Sequence, residues 1–553
     1  MRRSFCTATG IFRQSVVIAM LLVSWAGSAA YGQSQVRFLP EASAQNASPI
    51  AQVLDQGRTL ESQRRWGEAL SYYEEALREH PDQPALESRM ELARLHFDLA
   101  RRYSDRSFRE SLTGLTVTQA LDQYTEVATK ISTFYVENPD WRKLIDRGTT
   151  ALDVALEDRG FREHNLARTT NEEIAAFRKE LSQQIPRAIV QSRQDARRIV
   201  AEVAQMAQQR IGLLPTAVVL EYLCGATSSL DPYSAYLTAD QLREVYSQID
   251  GNFVGLGVEL KTSEGALLLV NIISGSPAER AGLKAGERII AVDGFTTAKL
   301  NTDDAASRLQ GAEGTTVEIT VLGLDRQVRN VQVRREHVEV PSIEGTKIVD
   351  ADYGIGYFRL TSFQKTTVRD LDAALWNLHR QGMRSLIIDL RGNPGGLLTS
   401  SVEAADRFLE IGGIVSTRGR NPQEDFNYAS HKPGTWQVPL TVLIDGDSAS
   451  ASEIFAAAMR DNRRATVVGA RSYGKGSVQG IFPLSQGSAG VRLTTAKFYS
   501  PQGRAISKVG VQPDIVVRQA LKATEGGEQV PATRDDAALE AALRAARSQL
   551  ASR

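Results

Sequence analysis

The chain has 553 residues, a length that corresponds to three or four domains at about 150 residues each. Hydrophobic residues make up 42% and charged residues 24% of it, values that are typical of globular protein and exclude a disordered chain. The 65 basic residues balance the 65 acidic ones, whereas a general nucleic-acid-binding protein carries a basic excess, so no nucleic-acid partner is predicted. With 2 cysteines and 6 scattered histidines, neither a disulfide framework nor a metal-binding motif is available, and no metal or cofactor is predicted.

The N-terminus has the three parts of a secretory signal. Arg2, Arg3 and Arg13 precede a short apolar run over residues 15–25, and small residues follow up to Gly32. The run is shorter than the ~20 residues that cross a membrane, although an uncleaved anchor is the alternative to cleavage after Gly32. We therefore predict an exported protein of the periplasm or cell envelope, without a stable membrane span once the signal is removed.

The segment that follows the signal begins with the spacing of a tetratricopeptide repeat. The residues at the positions of that repeat are Gly57, Ala69, Tyr73, Ala76 and Pro81. Only one repeat is recognisable, and stacking needs about three or more, so an ordinary helical hairpin and a peptide-binding surface both stay open. Helical periodicity with few glycines continues to residue 248, for example over 121–131. This helical region is a candidate surface for an adaptor or for self-association.

Glycines and β-branched runs become frequent from Gly251 onward, which predicts strands. Residues 251–338 resemble a PDZ domain, a β-sandwich or barrel-like module, because a glycine loop, a short helix over 276–283 and a strand over 286–294 occur in order. The resemblance implies that loop amides hold a chain-terminal carboxylate, and that the next strand edge pairs with the peptide. The loop consists of Gly255, Leu256, Gly257 and Val258. A domain that only packs on its neighbour is the alternative.

After Tyr353, predicted strands and helices alternate, which indicates an α/β domain. Strands are predicted over 385–390 and 439–444, with a helix over 398–409 between them. A polar segment then leads to a last amphipathic helix over about 535–550.

Three segments of this α/β region stand out: 389–396, 448–455 and 473–479. Serines of the second segment open a helix, where serine commonly serves as a cap. The same position also suits a nucleophile, because amide groups at a helix N-terminus stabilise an oxyanion. The sequence alone leaves both interpretations of these serines open.

A nucleophilic serine needs a base, and the histidines of this region are poor candidates. His379 and His431 lie in no motif, and we predict that both are surface residues. Lys475, which stands between two glycines, is the better candidate. A lysine acts as a base only when neutral, so burial or cationic neighbours must lower its pKa. Gln479, four residues further on, is placed to orient the amine.

Together these segments resemble the carboxyl-terminal processing proteases, the tail-specific serine endopeptidases of peptidase family S41. The resemblance extends from the linker 230–237 through the PDZ-like segment to residues 513–515. It implies an α/β core of the ClpP and crotonase type and a Ser-Lys pair assisted by a glutamine. By position, these are Ser450, Lys475 and Gln479.

The resemblance also implies supporting groups around the pair. The amide of Ala451, with that of Gly395 or Gly396, would form the oxyanion hole. Glu453 and Asp461 occupy positions typical of the family and are expected to support the site.

The sequence as a whole predicts a multidomain, exported serine endopeptidase that cleaves protein or peptide substrates near their free C-termini, after the PDZ domain captures the tail. The first alternative is a non-catalytic scaffold of the cell envelope that binds peptides through its PDZ and TPR-like parts, and the second is another acyl hydrolase on a similar core. The predicted division is 1–32 signal peptide, 33–110 leader and TPR-like hairpins, 111–250 helical region and linker, 251–338 PDZ domain, 339–520 protease core, and 521–553 linker and C-terminal helix.

Overall fold

The computed structural model describes residues 49–263, 266–298, 308–309, 311–431, 435–517, 521–523, 529–531 and 536–551. The predicted signal peptide and most of the leader lie outside these residues. Within the described ranges, no helix is both long enough and apolar enough to cross a membrane.

Helices build the N-terminal part, as its sequence periodicity predicts. They are α1 (Pro49–Ser62), α2 (Trp66–Glu79), α3 (Pro84–Ser104), α4 (Arg106–Gly114), α5 (Val117–Phe134), α6 (Trp141–Glu157), α7 (Arg159–Asn165), α8 (Asn171–Gln184), α9 (Arg193–Ile211), α10 (Pro215–Ser228) and α11 (Ala239–Asp250). In the first pair, Gly57 of α1 lies against the Tyr73 ring of α2, and a Cβ at Gly57 would stand 2.2 Å from that ring. The small residue therefore allows the close helix packing that its spacing predicts.

The helical region shares one hydrophobic core with the protease part of the chain. Nearly every residue of the apolar helix α10 is buried. The same buried cluster takes in Leu484, Val491 and Leu493 from the second half of the molecule. A short strand, β1 (Ala235–Leu237), pairs antiparallel with β18 (Gly490–Tyr499). The linker between the helices and the PDZ domain is thus also part of the protease core.

The PDZ segment forms a small sheet in which β3 is an edge strand. Its elements are β2 (Asn252–Gly255), β3 (Val258–Ser263), β4 (Ala266–Ile272), α12 (Pro277–Arg280), β5 (Arg288–Val292), β6 (Phe295–Thr296), β7 (Thr316–Leu322), β8 (Val328–Arg334) and β9 (Glu336–Glu339). The strand order is β3-β4-β5-β7-β8, with β6 on β5, and β2 pairs with β9. Among the described residues, β3 therefore has a partner on one side only.

The α/β core places two sheets around buried helices. Its elements are β10 (Ile343–Asp350), β11 (Ile355–Leu360), α13 (Thr367–Arg380), β12 (Ser385–Asp389), α14 (Leu398–Asp406), β13 (Gly413–Gly419), β14 (Phe426–Ala429), β15 (Leu440–Ile444), α15 (Ala451–Asp461), β16 (Ala465–Gly469), β17 (Ser477–Pro483), β18, β19 (Ile515–Val516), β20 (Leu521–Ala523), β21 (Gln529–Pro531) and α16 (Ala537–Ala551). The first sheet has the order β10-β11-β12-β15-β16-β19 and is parallel apart from β10. The second, antiparallel sheet contains β1, β18, β13 and β14, with β17 on β18.

Burial on both faces explains why the central strands are apolar without alternation. All residues of β12 and β15 are buried, because α13 to α15 pack on one face of the sheet and α16 packs on the other. Arg391 also pairs with Asp389 at the end of β12 and with Asp536 before α16, which ties the last helix to the sheet. The predicted α/β class is confirmed, and the C-terminal helix belongs to the core's own packing.

Candidate active site

Ser450 lies in the tight turn between β15 and α15, with its side chain almost completely buried. Its φ of 56° and ψ of −113° are unfavourable for a residue with a Cβ, so the surrounding structure must hold the turn. The flanking serines do this: Ser448 Oγ donates to the Leu390 carbonyl at 2.8 Å, and Ser452 Oγ donates to the Asn393 carbonyl at 2.9 Å. The hydroxyls of the two outer serines are therefore engaged in holding the turn.

A glycine loop after β12 packs directly against this turn. A Cβ at Gly395 would lie 2.8 Å from both the Ala451 nitrogen and Ser450 Cβ, so only glycine allows this approach. The Gly395 amide donates to Asn393 Oδ1 at 2.8 Å. Ala451 is the first residue of α15, where a backbone amide has no intrahelical partner. In the part of the chain described, the backbone amides of Ala451 and Gly396 have no hydrogen-bond acceptor.

The buried carboxylate of Glu453 joins the serine segment to the lysine segment. Its Oε2 accepts from the amides of Ser450 at 2.8 Å and Lys475 at 2.9 Å. Its Oε1 accepts from Ser472 Oγ at 2.6 Å and the Gly474 amide at 2.7 Å. Burial raises the pKa of Glu453, and these four donors act in the opposite direction. One side chain therefore fixes the backbone of both candidate residues.

Lys475 is buried, as a lysine base requires. Burial, together with the smaller effect of the Arg492 guanidinium, lowers the pKa of its amine to about 7, although Glu453 and Asp231 act in the opposite direction. The amine nitrogen lies 5.1 Å from the centroid of the Tyr233 ring, within the range of a cation–π contact. An amine with this pKa is substantially neutral at physiological pH.

Gln479 lies on β17 with its side chain fully buried. Its Nε2 donates to Ser477 Oγ at 2.9 Å and to Thr494 Oγ1 at 3.4 Å. Its Oε1 is buried and has no hydrogen-bond partner among the described residues. The carbonyl oxygen of this amide is therefore available as an acceptor.

Asp461 lies at the far end of α15, about 16 Å along the helix from Ser450 at ~1.5 Å per residue. Its carboxylate accepts from Ser500 Oγ at 2.6 Å and pairs with Arg504, so it holds the turn after β18. His379 and His431 are exposed, as predicted, and the remaining histidines lie in β9 or in the N-terminal helical region.

Sequence reasoning missed three residues that surround the pair. Tyr233, Arg492 and Thr494 lie beside Lys475 or Gln479, yet none of them belongs to the segments 389–396, 448–455 and 473–479. The sequence did contain one indication of Tyr233, because the linker 230–237 is part of the family resemblance.

The PDZ loop is arranged around Gly257, whose φ of 81° favours glycine. A Cβ there would lie 2.2 Å from Ser276 Cβ, so the loop packs closely on the start of α12. The Gly257 and Leu256 carbonyls accept from the amides of Ile273 and Ala278, each within 2.9 Å. In the part of the chain that the structure describes, the amides of Leu256 and Gly257 have no acceptor. They precede Val258, the first residue of the open edge strand β3.

Family models and several known proteins match parts of this chain. Residues 354–517 match the model of peptidase family S41, and residues 270–323 match a PDZ domain model. A carboxy-terminal-processing protease of Bartonella bacilliformis is 39% identical over 305 residues, which cover 54% of this chain and 69% of that protein. Carboxyl-terminal-processing proteases of Synechocystis sp. and Picosynechococcus sp. are 35% and 36% identical, over 53% and 52% of this chain and 69% and 70% of theirs. The chain therefore belongs to the carboxy-terminal processing proteases, the serine peptidases of family S41, and it carries a PDZ domain.

Proposed function

We propose that Ser450 and Lys475 are the nucleophile and base of an exported endopeptidase that cleaves proteins near their C-termini. The observation that carries this proposal is the single Glu453 oxygen that accepts from the backbone amides of both residues. Ser450 Oγ attacks the scissile carbonyl carbon and its proton passes to neutral Lys475 Nζ. The resulting ammonium then protonates the leaving amine. Water, deprotonated by the neutral lysine, attacks the acyl carbon, and the bond to Ser450 Oγ breaks as the lysine ammonium returns its proton to that oxygen.

The amides of Ala451 and Gly396 are the proposed oxyanion hole. Neither amide has a hydrogen-bond acceptor in the described structure, whereas the Gly395 amide donates to Asn393 Oδ1. The start of α15 adds a favourable field for negative charge, because helix amides point toward the turn. Gln479 supports the lysine through its available carbonyl oxygen.

The PDZ domain is the proposed capture site for the substrate tail. Amides of the loop 255–258 would bind the terminal carboxylate, and the edge of β3 would pair with the peptide as an added strand. Capture by this loop makes a free C-terminus part of substrate recognition.

A pair of peptides that differ only at the C-terminus tests the capture site. Amidation removes the terminal charge and weakens charge-assisted hydrogen bonds, each worth roughly 1.5–3 kcal/mol. At subsaturating concentration we expect the amidated peptide to be cleaved about tenfold more slowly, or slower still, than the free acid. The measurement is kcat/KM by peptide fragment analysis, with Ser450→Ala as the blank. Equal rates for the two peptides would mean that this PDZ domain does not recognise the terminus.

Export is proposed from the basic, apolar and small-residue regions before Gln33. We expect protein produced with its full N-terminus in a secreting bacterial host to be recovered from the periplasm beginning at Gln33. N-terminal sequencing of the periplasmic fraction measures this. Recovery only in the cytoplasm with residues 1–32 retained would contradict export.

A further inference from the structure

The linker between the helical region and the PDZ domain is held in place by one carboxylate. Asp231 Oδ1 accepts from the amides of Tyr233 at 2.7 Å and Ser234 at 3.1 Å, and its Oδ2 accepts from Ser234 Oγ at 2.6 Å. The Ser234 hydroxyl in turn accepts from the Thr494 amide of β18 at 3.1 Å. Asp231 thus fixes the linker against the hairpin β17–β18, the strand pair that carries Gln479.

A chain of hydrogen bonds leads from this carboxylate to the glutamine. Thr494 Oγ1 donates to Asp231 Oδ1 at 3.0 Å and accepts from Gln479 Nε2 at 3.4 Å. A carboxylate can only accept, so the single hydroxyl proton of Thr494 is committed to Asp231, and the hydroxyl oxygen can only accept from Gln479. The amide must therefore present its NH2 group to Thr494 and its carbonyl oxygen to the other side.

The orientation of this amide matters because Lys475 is a donor in both protonation states. The Gln479 Oε1 is buried and has no partner among the described residues, so a flipped amide would instead present two more donors to the interior. Tyr233 from the same linker covers the lysine amine with its ring, and the Tyr233 carbonyl accepts from Arg492 Nε at 2.8 Å. The linker thus contacts both Thr494 and Arg492 of β18.

We propose that Asp231 and Thr494 are positioning residues for catalysis, because together they fix the Gln479 amide with its carbonyl oxygen available to Lys475. This inference rests on the proposed Ser450–Lys475 mechanism. It makes the linker, which precedes both matched domains in the chain, a required part of the active site.

The first test changes only the hydroxyl of Thr494. Thr494→Val keeps the shape of the side chain but breaks the link between Asp231 and Gln479, and we expect kcat to fall roughly 10- to 100-fold with KM unchanged. Thr494→Ser restores the hydroxyl and should stay within about twofold of wild type. Thr441→Val is the matched control, because Thr441 is a buried threonine of β15 whose hydroxyl has no partner in the described structure. Wild-type kcat in Thr494→Val would overturn the proposal.

The second test measures the pH dependence of kcat, which would not change if the role of Asp231 were purely structural. The charged and titratable groups around Lys475 are Arg492 on β18, Glu453 on α15, and Asp231 and Tyr233 on the linker. Asp231→Asn removes a negative charge that favours the ammonium form, so the acid limb of the kcat profile should move to lower pH while the plateau falls. An unchanged acid limb together with an unchanged plateau would overturn the role of Asp231, even if Thr494→Val failed to fold.

A control separates failure of this inference from failure of the proposed mechanism. If Lys475→Ala is inactive while Thr494→Val and Asp231→Asn match wild type, only the positioning role is wrong. If Lys475→Ala retains wild-type activity, the Ser-Lys mechanism itself is wrong.

Discussion

Ser450→Ala is expected to lower kcat by on the order of 10⁴-fold or more, while the protein stays folded. The substitution removes only the hydroxyl group. The Ser450 backbone amide that donates to Glu453 is kept, so the turn before α15 keeps its backbone hydrogen bonds. The strained φ of 56° belongs to the turn and persists in alanine. Cleavage of a C-terminally tagged, unfolded protein, followed by mass spectrometry of the fragments, measures the effect.

The neighbouring serines are matched controls for this substitution. Ser448 and Ser452 are equally buried, but their hydroxyls donate to main-chain carbonyls of the loop after β12. Ser452→Ala removes one hydrogen bond, at a cost of about 1 kcal/mol of stability, whereas Ser448→Ala also removes the bond that Ser448 Oγ accepts from the Asp445 amide at 3.0 Å. Both variants should keep most of the activity. Full activity in Ser450→Ala, or loss of activity in all three variants with the fold intact, would contradict the assignment of the nucleophile.

Local sequence patterns were sufficient to predict most of the fold. The continuous apolar strands were predicted at 385–390 and 439–444 and are observed as β12 and β15, because full burial on both faces demands apolar residues at every position. The last helix was predicted over about 535–550 and is observed as Ala537–Ala551. Its attachment to the sheet through Arg391 and Asp536 could not be predicted, since an ion pair across 145 positions leaves no local pattern.

The candidate site divides in the same way between local and long-range features. Lys475 and Gln479 stand next to glycines, and Ser450 is the middle serine of a run in which serines and alanines alternate. A close backbone approach such as that of Gly395 requires glycine whatever the surroundings. Tyr233 and Arg492 have no such requirement, and they meet Lys475 only because β1 pairs with β18. The hydrogen bonds by which Glu453 joins the Ser450 and Lys475 backbones could not be predicted either. A glutamate at the third helical position is also an ordinary capping residue.

The pH dependence of cleavage is the second large effect that this site predicts. Only neutral Lys475 can accept the proton of Ser450, and its pKa is lowered to about 7. The rate should therefore rise with pH, with about one tenth of the plateau value at pH 6 and a plateau above about pH 8. The measurement is kcat between pH 5.5 and 9 with a substrate that has no titrating group near the scissile bond.

Substitution of a neighbouring charge shows whether Lys475 is the group that titrates. Arg492 lowers the pKa of Lys475, so Arg492→Gln should move the acid limb to higher pH, opposite to the shift expected for Asp231→Asn. Circular dichroism at each pH separates loss of base function from unfolding. A group elsewhere in the protein would not respond to these two substitutions in opposite directions. A rate that falls steadily from pH 6 to 9 in the folded protein would contradict a lysine base, because the neutral amine becomes more abundant over that whole range.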